Sequence, residues 1–170
     1  IKQLNHVFRE LSSSTKAKVF SQNKHGSRES IINRFKSEES SAAILGLDSF
    51  WEGVDIEGKA LDCVVIPKIP FIVPTDPIHQ ARILEIEKNG GNGFMDYVLP
   101  LGILKFKQGV GRLIRSQKDR GVMFVLDPRL TEKSYGRFFW DELKEYQPKK
   151  AGFETLLNEA IAWYYDKVKT

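Results

Sequence analysis

Three short stretches constrain this chain more than anything else in it. Residues 42–47 (AAILGL), 63–69 (CVVIPKI) and 121–127 (GVMFVLD) are nearly continuous apolar runs, too short to be buried helices. A strand with one wet face alternates apolar and polar residues, whereas a strand covered on both faces has no need to. Val19-Phe20-Ser21 reads as a fourth, shorter strand, and segments of helical period lie between the runs. Parallel strands alternating with helices predict an α/β fold, an open parallel sheet with helices on both faces.

The helical segments carry their own punctuation. Ile1, Leu4, Val7, Phe8 and Leu11 keep the spacing of one apolar face, and a Ser/Thr cluster at residues 12–15 follows as a loop. That first helix begins without Met, cap or lead-in, so a fragment of a longer protein is expected, with no signal segment. Ser27 is placed to cap a helix carrying Ile31, Ile32 and Phe35. Pro67, Pro70, Pro74 and Pro77 punctuate an extended stretch, and Asp76-Pro77 supplies a cap and a first-turn proline for a helix to about Lys88. The glycine-rich stretch 89–93 (NGGNG) follows a helix rather than a strand and lacks a Lys-Ser/Thr ending, so it reads as a linker and not a phosphate cradle. Near the end, Phe153, Leu156, Leu157, Ala160, Ile161, Tyr164 and Val168 line one helical face, expected to be a packing face.

Composition narrows the class. A length of 170 residues suits one domain spanning the whole chain, and 41% apolar with 28% charged residues excludes collagen-like, mucin-like and disordered chains. No apolar run approaches a membrane span. The single cysteine, Cys63, cannot make an internal disulfide or ligate a cluster or structural zinc alone, and His6, His25 and His79 lie too far apart for a metal motif. No metal site and a reducing, cytoplasmic setting are the expectation.

Two segments carry chemistry. The first is residues 100–116 (PLGILKFKQGVGRLIRS). At 100° per residue, Ile103, Phe106, Val110, Leu113 and Ile114 fall within about 50° of one direction. Gln108, Arg112 and Arg115 fall within about 40° of the opposite one. No acid stands three or four residues from Arg112 and only Asp119 does so from Arg115, and residues 105–120 hold six cations against that one anion in a chain whose total is only +4. Gly109 and Gly111 each cost a helix roughly 1 kcal/mol relative to Ala, and glycine there lets another surface come close. A phosphate-binding stripe explains this better than a solvated face.

The second segment is residues 46–58 (GLDSFWEGVDIEG), where Asp48, Glu52, Asp55 and Glu57 follow a strand end with Gly53 and Gly58 among them. Ligands of open parallel sheets bind beyond the carboxyl ends of strands. Three readings stay open on these residues alone. The carboxylates hold Mg²⁺, or Asp55 accepts from a ribose hydroxyl, or the acids are caps and turn formers over Phe50 and Trp51.

Taken together, these segments resemble the second motor domain of superfamily 2 helicases, most closely the DinG/XPD group of DNA helicases. Ser49-Phe50-Trp51-Glu52-Gly53-Val54-Asp55 is similar to that group's motif V. Gln108-Gly109-Val110-Gly111-Arg112-Leu113-Ile114-Arg115-Ser116 is similar to motif VI, of the form Q-x-x-G-R-x-x-R. Pro67-Lys68-Ile69-Pro70-Phe71 and Pro74-Thr75-Asp76-Pro77 resemble the connector between them, and residues 121–127 followed by Arg129 resemble the group's strand and L-D-x-R turn.

The resemblance implies a RecA-like lobe that works with a first lobe to clamp ATP and Mg²⁺ and to move on single-stranded DNA, 5′→3′ by analogy. It implies that Arg112 and Arg115 act as arginine fingers on the γ-phosphate while Gln108 positions nucleotide or water. Glu52, Gly53, Asp55 and Gly111 would line the nucleotide and couple it to the DNA groove. Ser49 and Lys68 would contact DNA, and Trp51 would stack on a base. Several departures accompany the match. The chain has no G-x-x-x-x-G-K-[ST] loop and no D-E-x-[HD] box, so alone it should not hydrolyse ATP. Leu47 stands where the group often has a small hydroxyl residue, and the motif IV strand is expected to lie upstream. Some members carry a four-cysteine iron–sulfur cluster in the first lobe, for which this chain has no ligands. The alternatives are a docking module for nucleic acid or protein that keeps the motor fold and, more weakly, a Mg²⁺ nuclease built on Asp48, Glu52 and Asp55.

Overall fold

The computed structural model describes residues 2–22, 24–47, 50, 56, 61–114 and 119–167. They fall into two compact units, residues 1–60 and 61–170.

In the first unit, α1 (Lys2–Ser14) leads to β1 (Lys18–Ser21), α2 (Arg28–Lys36) and β2 (Ala42–Leu45). The β1 and β2 strands pair in parallel, with Phe20 opposite Ile44 and Ser21 opposite Leu45. Ser27 caps α2 as expected, its hydroxyl accepting from the Ser30 amide at 3.3 Å. Ile31 and Ile32 on α2, Phe20 on β1 and Leu4 on α1 are buried. Val7 departs from the predicted face of α1. It is 41% exposed, while Phe8 and Leu11 are half-buried. At the strand ends, Gln22 Oε1 accepts from the Leu47 amide at 2.9 Å and ties the exit of β2 to that of β1.

In the second unit, β3 (Cys63–Ile66) and β4 (Val122–Val125) are also parallel, Cys63 opposite Val122 and Ile66 opposite Val125. Three of the four predicted runs thus end two to three residues earlier than their apolar stretch, and all four strands pair in parallel. Ile66 is buried, but Val65 is 51% exposed and Cys63 is exposed as well, so β3 buries one face within the unit.

Between these strands, α3 (Pro77–Lys88) starts where expected, with Asp76 Oδ1 accepting from the amides of Ile78 and His79. It ends in a turn at Gly90, whose φ of 81° suits a residue without Cβ. A π-helical turn, Phe94–Val98, runs straight into α4 (Leu99–Leu113). Pro100 therefore sits near the head of α4 but not at a fresh start. The wider turn ahead of it suits a residue that cannot donate a backbone hydrogen bond.

The core of the unit is aromatic. Phe106 of α4 meets Phe139 of α6 (Gly136–Leu143) edge to face at 5.3 Å, and both are fully buried. Phe71 lies against Phe94, Tyr135 and Phe139. A short α5 (Arg129–Glu132) connects β4 to α6.

The last helix, α7 (Phe153–Lys167), buries less than its sequence suggested. Leu156, Ala160 and Tyr164 are half-buried, and Tyr164 donates to Asp62 Oδ2 at 2.8 Å. Phe153, Leu157 and Ile161 are exposed, and Val168 lies outside the described residues. One side of the predicted stripe packs, because a helix on a single neighbouring layer buries only the side facing it. Among the described residues no helix is long and apolar enough to cross a membrane.

Candidate nucleotide and nucleic-acid site

The α4 helix was expected to run through Ser116, but it stops at Leu113. Ile114 is extended (φ −117°, ψ 105°), although its amide still bonds to the Val110 carbonyl. The core face is close to prediction, with Phe106, Val110 and Leu113 buried and Ile103 and Ile114 half-buried. The opposite face needs correction. The exposed line of α4 runs Pro100, Leu104, Lys107, Gly111, and Gln108 and Arg112 flank it, half-buried. Of the predicted Gln108–Arg112–Arg115 row, Gln108 and Arg112 lie on the described helix. Arg115 itself lies outside the described residues.

What α4 does bring together is informative. Gln108 and Arg112 stand one turn apart on its last turns. Gln108 Oε1 is buried and accepts no hydrogen bond among the described residues, and Arg112 Nε is buried too. A buried acceptor without a donor costs on the order of 1–3 kcal/mol, so it calls for a partner. Among the described residues a Cβ at Gly111 would meet nothing within 4 Å, so no described neighbour requires the glycine. An amide acceptor, a guanidinium and an unobstructed glycine suit the phosphates and hydroxyls of a nucleotide. Positive charge on this helix is also used within the chain. Lys107 pairs with Glu142 of α6 at 2.8 Å, and the carboxylate's hydrogen bond raises the ammonium's pKa.

Of the motif V stretch, Ser49, Trp51, Glu52, Gly53, Val54 and Asp55 lie outside the described residues, as do the flanking acids Asp48 and Glu57. The entry to that turn is held by the Gln22–Leu47 hydrogen bond, the Phe50 amide donates to the Leu47 carbonyl at 2.9 Å, and Ile56 is buried. Among the described residues no cluster of three His, Cys, Asp or Glu is arranged to hold a metal.

Lys68 is exposed in a bend just past the carboxyl end of β3. Across from it, just past the end of the parallel strand β4, lies a residue to which sequence reasoning gave no role. Asp127 is buried, its Oδ2 accepting from the Ile69 amide at 2.8 Å and its Oδ1 from the Arg129 amide at 3.0 Å. The Arg129 guanidinium closes over both oxygens. Burial would raise the carboxyl's pKa, but the Arg129 side chain and the amides of Ile69 and Arg129 outweigh it and hold it below the usual carboxylate range. The local signals for this residue were an acid ending an apolar run and the L-D-x-R turn it forms with Arg129.

Parallel strands joined through helices, with polar and basic groups gathered past the strand ends and on the last turns of α4, define an α/β domain of the RecA-like class. The family model for the helicase C-terminal domain matches residues 1–146, and the chain belongs to that family. Among curated relatives, it is 43% identical over 106 residues to the ATP-dependent DNA helicase YoaA of Haemophilus influenzae (62% of this chain, 17% of the relative). It is 42% identical over 118 residues to the 3'-5' exonuclease DinG of Bacillus subtilis (69% and 13%). It is also 42% identical over 113 residues to the YoaA helicase of Escherichia coli (66% and 18%). The chain thus spans less than a fifth of the length of these relatives. The α7 helix falls beyond the family match.

Proposed function

We propose that residues 1–170 make up one C-terminal motor lobe of an ATP-dependent DNA helicase that translocates on single-stranded DNA. The 5′→3′ sense rests on family resemblance alone. Membership of the helicase C-terminal domain family is the observation that carries this reading, and relatives named as ATP-dependent DNA helicases support it. The motor's partner is a first lobe of the same protein, which holds most of the ATP and Mg²⁺.

ATP supplies the phosphoryl group whose transfer to water drives movement. The residues of this chain bind and orient it. Arg112 and Arg115 neutralise charge on the transferring group, and the unsatisfied Gln108 Oε1 accepts from a nucleotide hydroxyl or a water and orients it. Gly111 leaves room for the approach, while Glu52, Gly53 and Asp55 link nucleotide occupancy to the DNA groove. Ser49 and Lys68 hold phosphates of the strand, and Trp51 offers a face for base stacking.

The test is Arg115→Ala in the complete protein. DNA-stimulated ATP hydrolysis should fall by about 10³-fold or more, the scale of an arginine finger, with the thermal midpoint unchanged. Wild-type turnover in this variant would overturn the assignment.

A further inference from the structure

We propose that Asp127 is a positioning residue for DNA binding, fixing the bend that presents Lys68 to a backbone phosphate. This rests on Lys68 being a DNA contact, and the experiment below separates the two claims.

The bend is held by two anchors just after its exposed lysine. At the first, Asp127 Oδ2 takes the Ile69 amide at 2.8 Å, and Ile69 is buried. At the second, the Phe71 ring sits among Phe94, Tyr135 and Phe139 with the Arg129 guanidinium 5.3 Å from its centroid. The helix makes room for that ring. A Cβ at Gly102 of α4 would come within 2.7 Å of Phe71 Cδ1. Arg129 joins the two anchors, since it grips Asp127 with its donors and covers Phe71 with its face. Between them, the Phe71 amide closes back on the Ile69 carbonyl at 2.9 Å.

A purely local role does not account for this arrangement. An aspartate that only shaped the turn into α5 would need one oxygen, and Oδ1 already does that with the Arg129 amide. Oδ2 reaches instead to a residue 58 positions earlier in the chain, on the loop of the neighbouring parallel strand. Burying a carboxylate is costly unless it is well partnered, and here one of its partners is the Ile69 amide of that loop, the rest coming from Arg129. Past the carboxyl ends of parallel strands, such a brace sits where ligands bind. Holding the backbone beneath a lysine removes part of the ordering cost of a phosphate contact.

The experiment measures binding of a fluorescent oligothymidylate by the complete protein across a salt series. Lys68→Ala should weaken binding about fivefold at 0.1 M salt and lower the salt slope by about 0.7, as expected for one lost phosphate contact on a single strand. Asp127→Ala should reproduce most of both changes while leaving KM for ATP unmoved. Asp127→Asn, which keeps one acceptor for the Ile69 amide, should fall between. Combining Lys68→Ala with Asp127→Ala should weaken binding no further than Lys68→Ala alone. A wild-type slope in Asp127→Ala, or additive losses in the double variant, would overturn the inference while leaving Lys68 as a contact. No effect of Lys68→Ala would overturn both. Should Asp127→Ala fail to fold, the isosteric Asp127→Asn decides, and an unchanged slope in it counts against the proposal.

Discussion

Asp127 shows how much one side chain can hold that no spacing rule foresees. Its carboxylate stays ionised in the fold because Arg129 and two amides favour the charged form over the penalty of burial. A group whose pKa is depressed on folding contributes stability above its unfolded value, near 3.9 for an aspartate, and loses that contribution as pH falls through the folded value. Below about pH 4 the chain should therefore lose stability partly through Asp127. Denaturant titrations at a series of pH values should show a shallower acid loss in Asp127→Asn than in wild type. An identical loss in both would mean the carboxylate is not ionised in the fold. The sequence shows an acid closing an apolar run. Its partner, Ile69, is named only when β3 and β4 lie side by side. Lys68, which lies in the connector motif, differs from it in that the fold leaves it exposed.

Elements were the most legible level, and their ends the least. The Ser27 and Asp76 caps are local chemistry, so the starts of α2 and α3 could be read directly. The end of α4 could not, because Ile114 continues the apolar period that the helix should follow. Gly121, on the way into β4, passes so close that a Cβ on it would meet Leu113 Cδ1 at 2.5 Å. The solvent line of α4 was likewise set by what packs on it. Its exposed row includes Gly111, a helix-weakening residue with open space around it. Gly111→Ala should accordingly stabilise this chain by about 0.4–1 kcal/mol. In the complete protein the same change should raise KM for ATP, since the methyl group fills the approach to the nucleotide. A gain in stability with unchanged KM would remove Gly111 from the nucleotide site.

At the scale of the whole molecule, the prediction concerns division of labour. The 170 residues match a helicase C-terminal domain but contain no phosphate loop and no acidic metal box. Assayed alone with Mg²⁺ and single-stranded DNA, this chain should release no phosphate above background, whereas the complete protein should. Turnover by the isolated chain would contradict the two-lobe reading. The α/β class, the parallel strands, the helix caps and the family were determined by the sequence itself, because each rests on periodicity, capping chemistry or motif spacing within a few residues. Only the tertiary structure decided where α4 stops, which of its faces is wet, how much of α7 is covered and what Asp127 holds. Those depend on contacts between residues tens of positions apart, where burial and approach distance override local preference.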